Sequence, residues 1–210
     1  VESHKDDKIF EKINPSTEVA LIGLVAHFEA FCKHQFAAIV NINPNLLTLF
    51  ASKRAQTVIP ITSIILLNGN FEKNIGFVLA EQFDFGTGKL INGLFRDLLS
   101  ITPFAESEIK MCDNILYKRN LLVHHAGFYT LQYLKDNSLK NDVKNNAFKE
   151  AVKVETEDYH EIDDFLFDLA IKITSVTTKA LLESLESYKD NKMRLDAANQ
   201  LCQGVYDIIQ

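Results

Sequence analysis

The feature that most constrains the fold is the recurrence of apolar residues at helical spacing along most of the chain. Asn14-Pro15 is a typical helix start, and apolar residues follow it every three or four positions to about Asn41. The same spacing returns in residues 44–54, 71–83, 90–99 and 104–126, and in a last long helix that begins at Asp158. Amphipathic helices bury their apolar faces against one another. The sequence therefore predicts an all-α helical bundle.

Two parts of the chain depart from this pattern. Residues 59–67 are apolar and β-branched, which fits a strand or a buried helix, and we expect a helix because no matching strand lies nearby. Residues 128–134 and 151–157 alternate as strands do, which predicts a small β-hairpin insertion between the last two long helices. The chain is then one helical domain over residues 1–210, with a core at about 16–188 and a helical tail at 190–210.

The composition limits the location and the partners of the protein. Hydrophobic residues make up 47% of the 210, but no apolar run approaches the roughly 20 residues that cross a bilayer. The first residues are charged and lack the apolar region of a signal peptide. The 3 cysteines are far apart, which favours a reducing cytoplasm, and Cys32 and Cys112 are expected in the core. Because the net charge is −6, binding a nucleic acid would need a local basic patch.

A charged residue interrupts the apolar face of the helix predicted at residues 104–126. With about 100° of rotation per residue, Arg119 lies at the centre of the apolar stripe. The stripe consists of Cys112, Ile115, Leu116, Leu122, Val123 and Ala126. Burying an arginine is costly unless a partner or a bound anion compensates its charge. We therefore expect this helix to face a second copy of itself, or a crevice that receives an anion.

Further polar residues lie beside Arg119. Asn120 is about 100° from it and His124 about 140°, so Asn120 and His124 are neighbours on one flank, which Tyr117 shares as a supporting residue. Asn120 can therefore orient the imidazole of His124. His124 also lies in the last turn before Gly127, where the negative end of the helix dipole favours a protonated imidazole.

The segment Arg119-Asn120-x-x-x-His124, late in a long helix of an all-α chain, resembles the signature of the HEPN superfamily. That signature is an arginine, a polar residue that is often asparagine, and a histidine four to six residues after the arginine. The surrounding order is also similar, with a long first helix containing LVAHFEAF and a terminal helix after the motif. The resemblance covers about residues 18–188, and it is most like the bacterial branches of toxin and phage-defence systems.

This resemblance implies an enzyme that cuts RNA. Many members are metal-independent endoribonucleases, so Arg119 and His124 would be the catalytic pair and Asn120 the supporting polar residue, with no cofactor. Members commonly form homodimers in which two motifs line one cleft. The 2′-OH of RNA would be the nucleophile, and the products would carry a 2′,3′-cyclic phosphate and a 5′-hydroxyl. A cognate antitoxin protein is a further partner familiar for this superfamily.

Other residues would assist the catalytic pair. Glu29 on the first helix could hold Arg119 in place, and the variable spacing of the signature admits His125 as a supporting histidine, although it points about 120° away from Arg119. Lys110 and Lys118 could form a basic rim that binds the RNA backbone.

Plainer interpretations of the same residues stay open. Arg119 can be a structural arginine paired with a carboxylate such as Glu29, and His124 can bond a carbonyl at the helix end. The chain would then be a non-catalytic HEPN-like domain that binds a nucleotide or a partner protein, or a purely structural helical adaptor. His27 and Glu29 match the H-x-E of zinc deaminases, but no P-C-x-x-C follows, so no metal site is expected.

Overall fold

The computed structural model describes residues 15–54, 57–136, 148–185 and 192–209. Helices account for 77% of the structure and no strand forms in these ranges, which confirms the predicted all-α class. Among the described residues, no helix combines the length and the apolar character that crossing a membrane requires. The side chain of Cys202 lies outside the described part.

The helices, in chain order, are α1 (Pro15–Ile42), α2 (Leu46–Lys53), α3 (Ile61–Leu66), α4 (Phe71–Ala80), α5 (Gly88–Leu99), α6 (Glu106–His125), α7 (Leu131–Asp136), α8 (Thr156–Leu185) and α9 (Lys192–Ile209). Every helix that the apolar spacing predicts is present, and its ends lie within a few residues of the prediction. Helix α7 is the one in the described ranges that the spacing did not predict.

The apolar segment at residues 59–67 forms helix α3, as predicted, but this helix does not belong to the core. None of its residues is buried, and Leu66 is 82% exposed. The helix begins after Pro60 and is followed by Gly69, whose φ of 85° turns the chain. The apolar run at residues 59–67 is therefore a surface segment, and the buried-helix interpretation of it is wrong.

The predicted β-hairpin is reduced to one antiparallel bridge in the described residues, between Phe128 and Ala151. The strand predicted at residues 128–134 is wrong beyond Thr130. The Thr130 hydroxyl accepts a hydrogen bond from the Tyr133 N–H at 3.2 Å and thereby caps the start of α7. Residues 137–147, between the two predicted strands, lie outside the described part of the chain.

The chain divides into two compact units. The first unit comprises the described residues of Val1–His27 and Lys110–Leu166, and the second comprises those of Phe28–Ile109 and Phe167–Gln210. Helices α1, α6 and α8 each contribute residues to both units.

The core of the first unit combines apolar side chains from α1, α6, α7 and α8 with the segment after the bridge. Its buried residues are Leu21, Val25, Cys112, Ile115, Leu116, Leu121, Leu134, Val152, Val154, Ile162 and Leu166. The Thr17 hydroxyl donates to the carbonyl of Val154 at 2.6 Å and ties the start of α1 to this segment. Cys112 is fully buried, which confirms its predicted place in the core.

Phe36 is the centre of the core of the second unit. Its ring meets those of Phe50, Phe83, Phe85 and Phe95 edge to face, at centroid distances of 5.6, 6.1, 5.9 and 6.2 Å. Edge-to-face contacts place the positive rim of one ring against the negative face of another, which stabilises the cluster beyond simple burial. Cys32, also fully buried, was predicted to lie in the core, and the structure confirms it.

Polar side chains in the second unit are matched by partners distant in sequence. Gln35 Nε2 donates to Thr177 Oγ1 at 2.9 Å. Asn92 bonds the backbone of Phe104 in both directions, donating to its carbonyl at 2.9 Å and accepting from its N–H at 2.8 Å. These bonds satisfy groups whose burial would otherwise be costly.

Candidate active site at the end of helix α6

Helix α6 carries the predicted motif in its last two turns. The buried residues of α6 are Cys112, Ile115, Leu116 and Leu121. The first three belong to the predicted apolar stripe, but the end of that stripe is wrong, since Val123 is 47% exposed and Ala126 is exposed. The helix leaves the core in its last turn, so the polar residues there are open to solvent.

The end of α6 is fixed by the backbone. Ala126 and Gly127 both adopt positive φ angles, 48° and 80°. The Gly127 N–H donates to the carbonyl of Leu121 at 2.9 Å, and the Gly127 carbonyl accepts from the Val152 N–H at 2.8 Å. Glycine suits this position because a side chain is strained at such a φ. Gly127 therefore ends α6 in the way that glycine commonly ends helices.

Arg119 and Asn120 are both half-buried. The Nε atom of Arg119 is buried and has no acceptor in the described part of the chain, although Arg119 does make another interaction. Glu29 is half-buried on the part of α1 that belongs to the second unit. Its pairing with Arg119 therefore stays a prediction.

His124 and His125 are exposed in the last turn of α6. Within the described residues neither imidazole takes part in a hydrogen bond or a salt bridge, so the alternative in which His124 bonds a terminal carbonyl is not found there. Asn120 and His124 are four residues apart on one continuous helix, hence neighbours on its surface. The helix thus places the arginine, the asparagine and both histidines in consecutive turns.

The remaining predicted residues lie at different distances from His124 along the helix. Lys118 is half-buried and Lys110 and Tyr117 are exposed. At about 1.5 Å of rise per residue, Lys118 is about 9 Å from His124 along the axis and Lys110 about 21 Å. By the rotation of the helix, Lys118 also points about 120° away from His124, towards the flank that carries His125.

Two tyrosines follow the motif in the same unit. The rings of Tyr129 and Tyr133 stack at a centroid distance of 5.4 Å and an angle of 15°. Burial, and then the charge of Glu150, raise the pKa of Tyr129, and burial with the neighbouring Tyr129 raises the pKa of Tyr133. Both phenols are thus protonated at neutral pH and can donate hydrogen bonds.

A further surface, which the sequence did not predict, lies beside the histidines. The Tyr129 N–H donates to the Glu150 carbonyl and the Val152 N–H to the Gly127 carbonyl, so Phe128 and Ala151 form a non-hydrogen-bonded antiparallel pair. The side chains of such a pair are adjacent on one face.

Phe128 is 38% exposed on this face, and Lys153, two residues after Ala151, projects to the same side and is exposed. Val152 and Val154, which point the other way, are buried. The alternation of buried valines and exposed lysine in residues 151–154 was the signal in the sequence that could have predicted this surface.

In the described ranges, no three histidine, cysteine, aspartate or glutamate side chains lie close enough together to hold a metal ion. Comparison with known proteins finds no matching family model, no similar curated protein and no similar solved structure.

Proposed function

We propose that this chain is a HEPN-type endoribonuclease that cuts RNA without a metal ion. The observation that carries the proposal is the exposure of His124 in the last turn of α6, one turn after Arg119 and Asn120. An exposed histidine and a half-buried arginine near one helix end supply a proton-transfer group and a phosphate-binding group on one rigid element. The HEPN fold and the resemblance to toxin and phage-defence branches are part of the proposal.

The reaction uses the nucleophile that RNA carries itself. His124 takes the proton of the 2′-hydroxyl, the 2′ oxygen attacks the adjacent phosphorus, and the bond from phosphorus to the 5′ oxygen breaks. The leaving oxygen receives a proton from a second donor, for which the second copy of His124 in a homodimer or the adjacent His125 is available. Arg119 binds the phosphate and stabilises the negative charge that grows on its oxygens. The products carry a 2′,3′-cyclic phosphate and a 5′-hydroxyl.

The surface beside the motif would bind the RNA substrate. Lys118 is half-buried on the flank of α6 that carries His125, and Lys153 is exposed beside the ring of Phe128 just after the helix. Lysines bind phosphates, and an exposed aromatic ring can stack on an unpaired base. These groups supply the local basic patch that a chain with a net charge of −6 needs to bind RNA.

The wider setting belongs to the same proposal. The protein would act in the cytoplasm as a homodimer in a toxin–antitoxin or antiviral defence system, with an antitoxin protein as its regulator. A dimer in which two α6 ends face one cleft would also supply the second proton donor.

The proposal is tested by RNA cleavage in the presence of a chelator. Wild-type protein is compared with His124→Ala, Arg119→Ala and, as a matched control, His160→Ala, which removes an exposed histidine from α8. We expect His124→Ala to lower the cleavage rate about 10²–10⁴-fold, because general acid–base catalysis contributes that much, and His160→Ala to leave it unchanged. Cleavage that survives His124→Ala at the wild-type rate refutes the mechanism. RNA or nucleotide binding with no cleavage by any variant favours the non-catalytic domain.

A further inference from the structure

Helix α3 and the residues on either side of it form an exposed apolar segment, which we define as residues 57–71. No residue between Arg54 and Glu72 is charged. The large apolar side chains that this segment exposes are those of Val58, Ile61, Ile64, Ile65 and Leu66. Single exposed apolar side chains are ordinary on a protein surface, but a contiguous group of them marks a surface that binds an apolar partner.

The exposed side chains of α3 point in several directions instead of forming one narrow stripe. At about 100° of rotation per residue, Ile65 lies about 40° from Ile61, and Leu66 lies about 100° beyond Ile65. Ile64 lies about 60° from Ile61 on the other side, so these side chains cover more than half of the circumference. No residue of α3 is buried. A protein groove covers one face of a helix, whereas the chains of a lipid layer can close around a short helix from several sides.

The backbone of the segment is largely hydrogen-bonded within itself. Pro60, at the start of α3, has no N–H group, and the polar residues Thr62 and Ser63 carry hydroxyls without charge. The N–H groups that donate to carbonyls three or four residues earlier, at 2.9–3.2 Å, include those of Ser63, Leu67, Asn68 and Asn70. Polar backbone groups that enter lipid need partners within the protein, because water does not reach them there. The segment therefore meets this requirement over most of its length.

The length of the segment and the charge of the chain define the kind of lipid contact. A bilayer is crossed by about 20 apolar residues, and a much shorter apolar stretch that is not in the core is typical of an interfacial segment. Residues 59–67 are such a stretch, since α3 lies outside the core. Because the chain has a net charge of −6, an anionic lipid surface repels it on average. An uncharged apolar segment on an acidic chain thus favours a neutral lipid surface.

We propose that the exposed apolar segment attaches this protein to the surface of a neutral, zwitterionic lipid bilayer. The side chains of Ile61, Ile65 and Leu66 enter the boundary between the headgroups and the acyl chains, about 5–10 Å deep, where they are removed from water. Charge does not drive the attachment, so salt changes it little. The candidate active site at the end of α6 uses no residue of this segment.

The test is flotation of the full chain with vesicles of phosphatidylcholine, alone or mixed with anionic phosphatidylserine. Ile65→Asp places a charge in the segment, and Val19→Asp on α1 is the matched control, because both side chains are 68% exposed. We expect wild type and Val19→Asp to bind phosphatidylcholine vesicles equally well, and Ile65→Asp to bind at least about tenfold more weakly. No binding by the wild type, stronger binding to the anionic vesicles, or equal binding by the two Asp variants overturns the proposal.

A fluorescent side chain then shows which residues enter the lipid. The chain contains no tryptophan, so Leu66→Trp and Val19→Trp each carry a single one. We expect phosphatidylcholine vesicles to shift the emission of Leu66→Trp to shorter wavelength, because an indole at this position leaves water, and to leave that of Val19→Trp unchanged. The proposal fails if the emission of Leu66→Trp does not shift.

A second copy of the chain is the other apolar partner that these variants can detect. If the emission of Leu66→Trp shifts with rising protein concentration in the absence of vesicles, a second copy covers the segment and the lipid proposal is wrong. Sedimentation velocity of wild type and Ile65→Asp checks the same point, and we expect identical sedimentation for the two. None of these measurements involves RNA, so their outcome is independent of the proposed ribonuclease activity.

Discussion

The Phe36 cluster in the second unit and the end of α6 in the first unit differ in whether their polar side chains are hydrogen-bonded. Around the cluster, buried polar side chains such as Gln35 and Asn92 are bonded to partners far away in the sequence. At the end of α6, the imidazoles of His124 and His125 face solvent and, within the described residues, form no hydrogen bond. Stability accounts for the first set of polar groups and not for the second, which is why the second is the better candidate for function.

The same contrast applies to two arginines. Arg54 Nε bonds Asp97 Oδ2 at 2.7 Å, and its guanidinium lies over the rings of Phe50 and Phe83, 5.7 and 5.4 Å from their centroids. The contacts of this guanidinium with a carboxylate and two aromatic rings are enough to explain Arg54 as a structural residue. Arg119 also makes an interaction, but it is half-buried on a helix whose last turn carries two exposed histidines.

The largest effect on stability is expected at Phe36. Phe36→Ala removes a fully buried ring that contacts four others, and we expect it to lower the free energy of unfolding by about 3–5 kcal/mol. Phe148→Ala in the first unit is the control, because that ring is 64% exposed, and its loss should be far smaller. Denaturant titration measures both. Equal losses would show that the aromatic cluster is not the main source of stability in the second unit.

Alanine substitutions at two glycines, one in each unit, should change the free energy of unfolding in opposite directions. Gly76→Ala adds a Cβ that collides with the carbonyl of Ala37, and we expect a loss of about 1–3 kcal/mol. Gly23→Ala, inside α1 in the first unit, meets no atom within 4 Å and should raise stability by about 0.5–1 kcal/mol, because alanine favours the helix. Thermal unfolding of both variants gives the signs. A stable Gly76→Ala protein would mean that α4 is not held closely against α1.

A smaller loss is expected at Arg54. Arg54→Met breaks the bond to Asp97 and the contacts with two rings, and should cost about 1–2 kcal/mol. Arg96→Met is the matched control, since Arg96 approaches the same carboxylate at 3.5 Å but is 64% exposed, so the change should be much smaller. The two variants are compared by denaturant titration at one pH. If they lose the same amount, burial of the ion pair is not what gives Arg54 its structural role.

The smallest expected change in stability is that of Glu108, and it depends on pH. Burial raises the pKa of Glu108, but hydrogen bonds from Lys172 and the Ala105 N–H, together with the charge of Lys172, outweigh it and lower the pKa below 4.5. The ionised carboxylate therefore stabilises the fold above about pH 4.5, and this contribution is lost as the pH falls through the lowered pKa.

For this partly exposed pair we expect a few tenths of a kcal/mol, which Glu108→Gln removes at neutral pH and which shrinks as the pH falls below 4.5. Glu183→Gln, an exposed carboxylate on α8, serves as the control. A loss for Glu108→Gln that stays the same or grows as the pH is lowered would contradict the sign of this effect.

The helices were predictable because their apolar spacing is a local property of the sequence. The bond between Arg54 and Asp97 was not, since it joins residues 43 positions apart and neither residue stands out in its own helix. The strand expected at residues 128–134 failed because the Thr130 hydroxyl starts a helical turn there, and alternation in so short a segment does not separate the two structures.

At the candidate site, the sequence predicted the order of Arg119, Asn120 and His124 on one helix. It did not predict the exposure of the final turn, since Val123 and Ala126 were expected on a buried stripe. The alternation in residues 151–154 indicates that Lys153 is exposed, but it does not indicate that Phe128 lies beside it, because that depends on a single bridge between residues 23 positions apart.

The most direct test of the ribonuclease proposal is an analysis of the ends produced from a short RNA, in the presence of a chelator, by wild-type protein and by His124→Ala. We expect 2′,3′-cyclic phosphate and 5′-hydroxyl ends with the wild type, none when the nucleotide at the cut carries no 2′-hydroxyl, and almost none with His124→Ala. RNA that stays intact with the wild type, or ends that carry a 5′-phosphate, would contradict the assignment of the end of α6 as the cutting site.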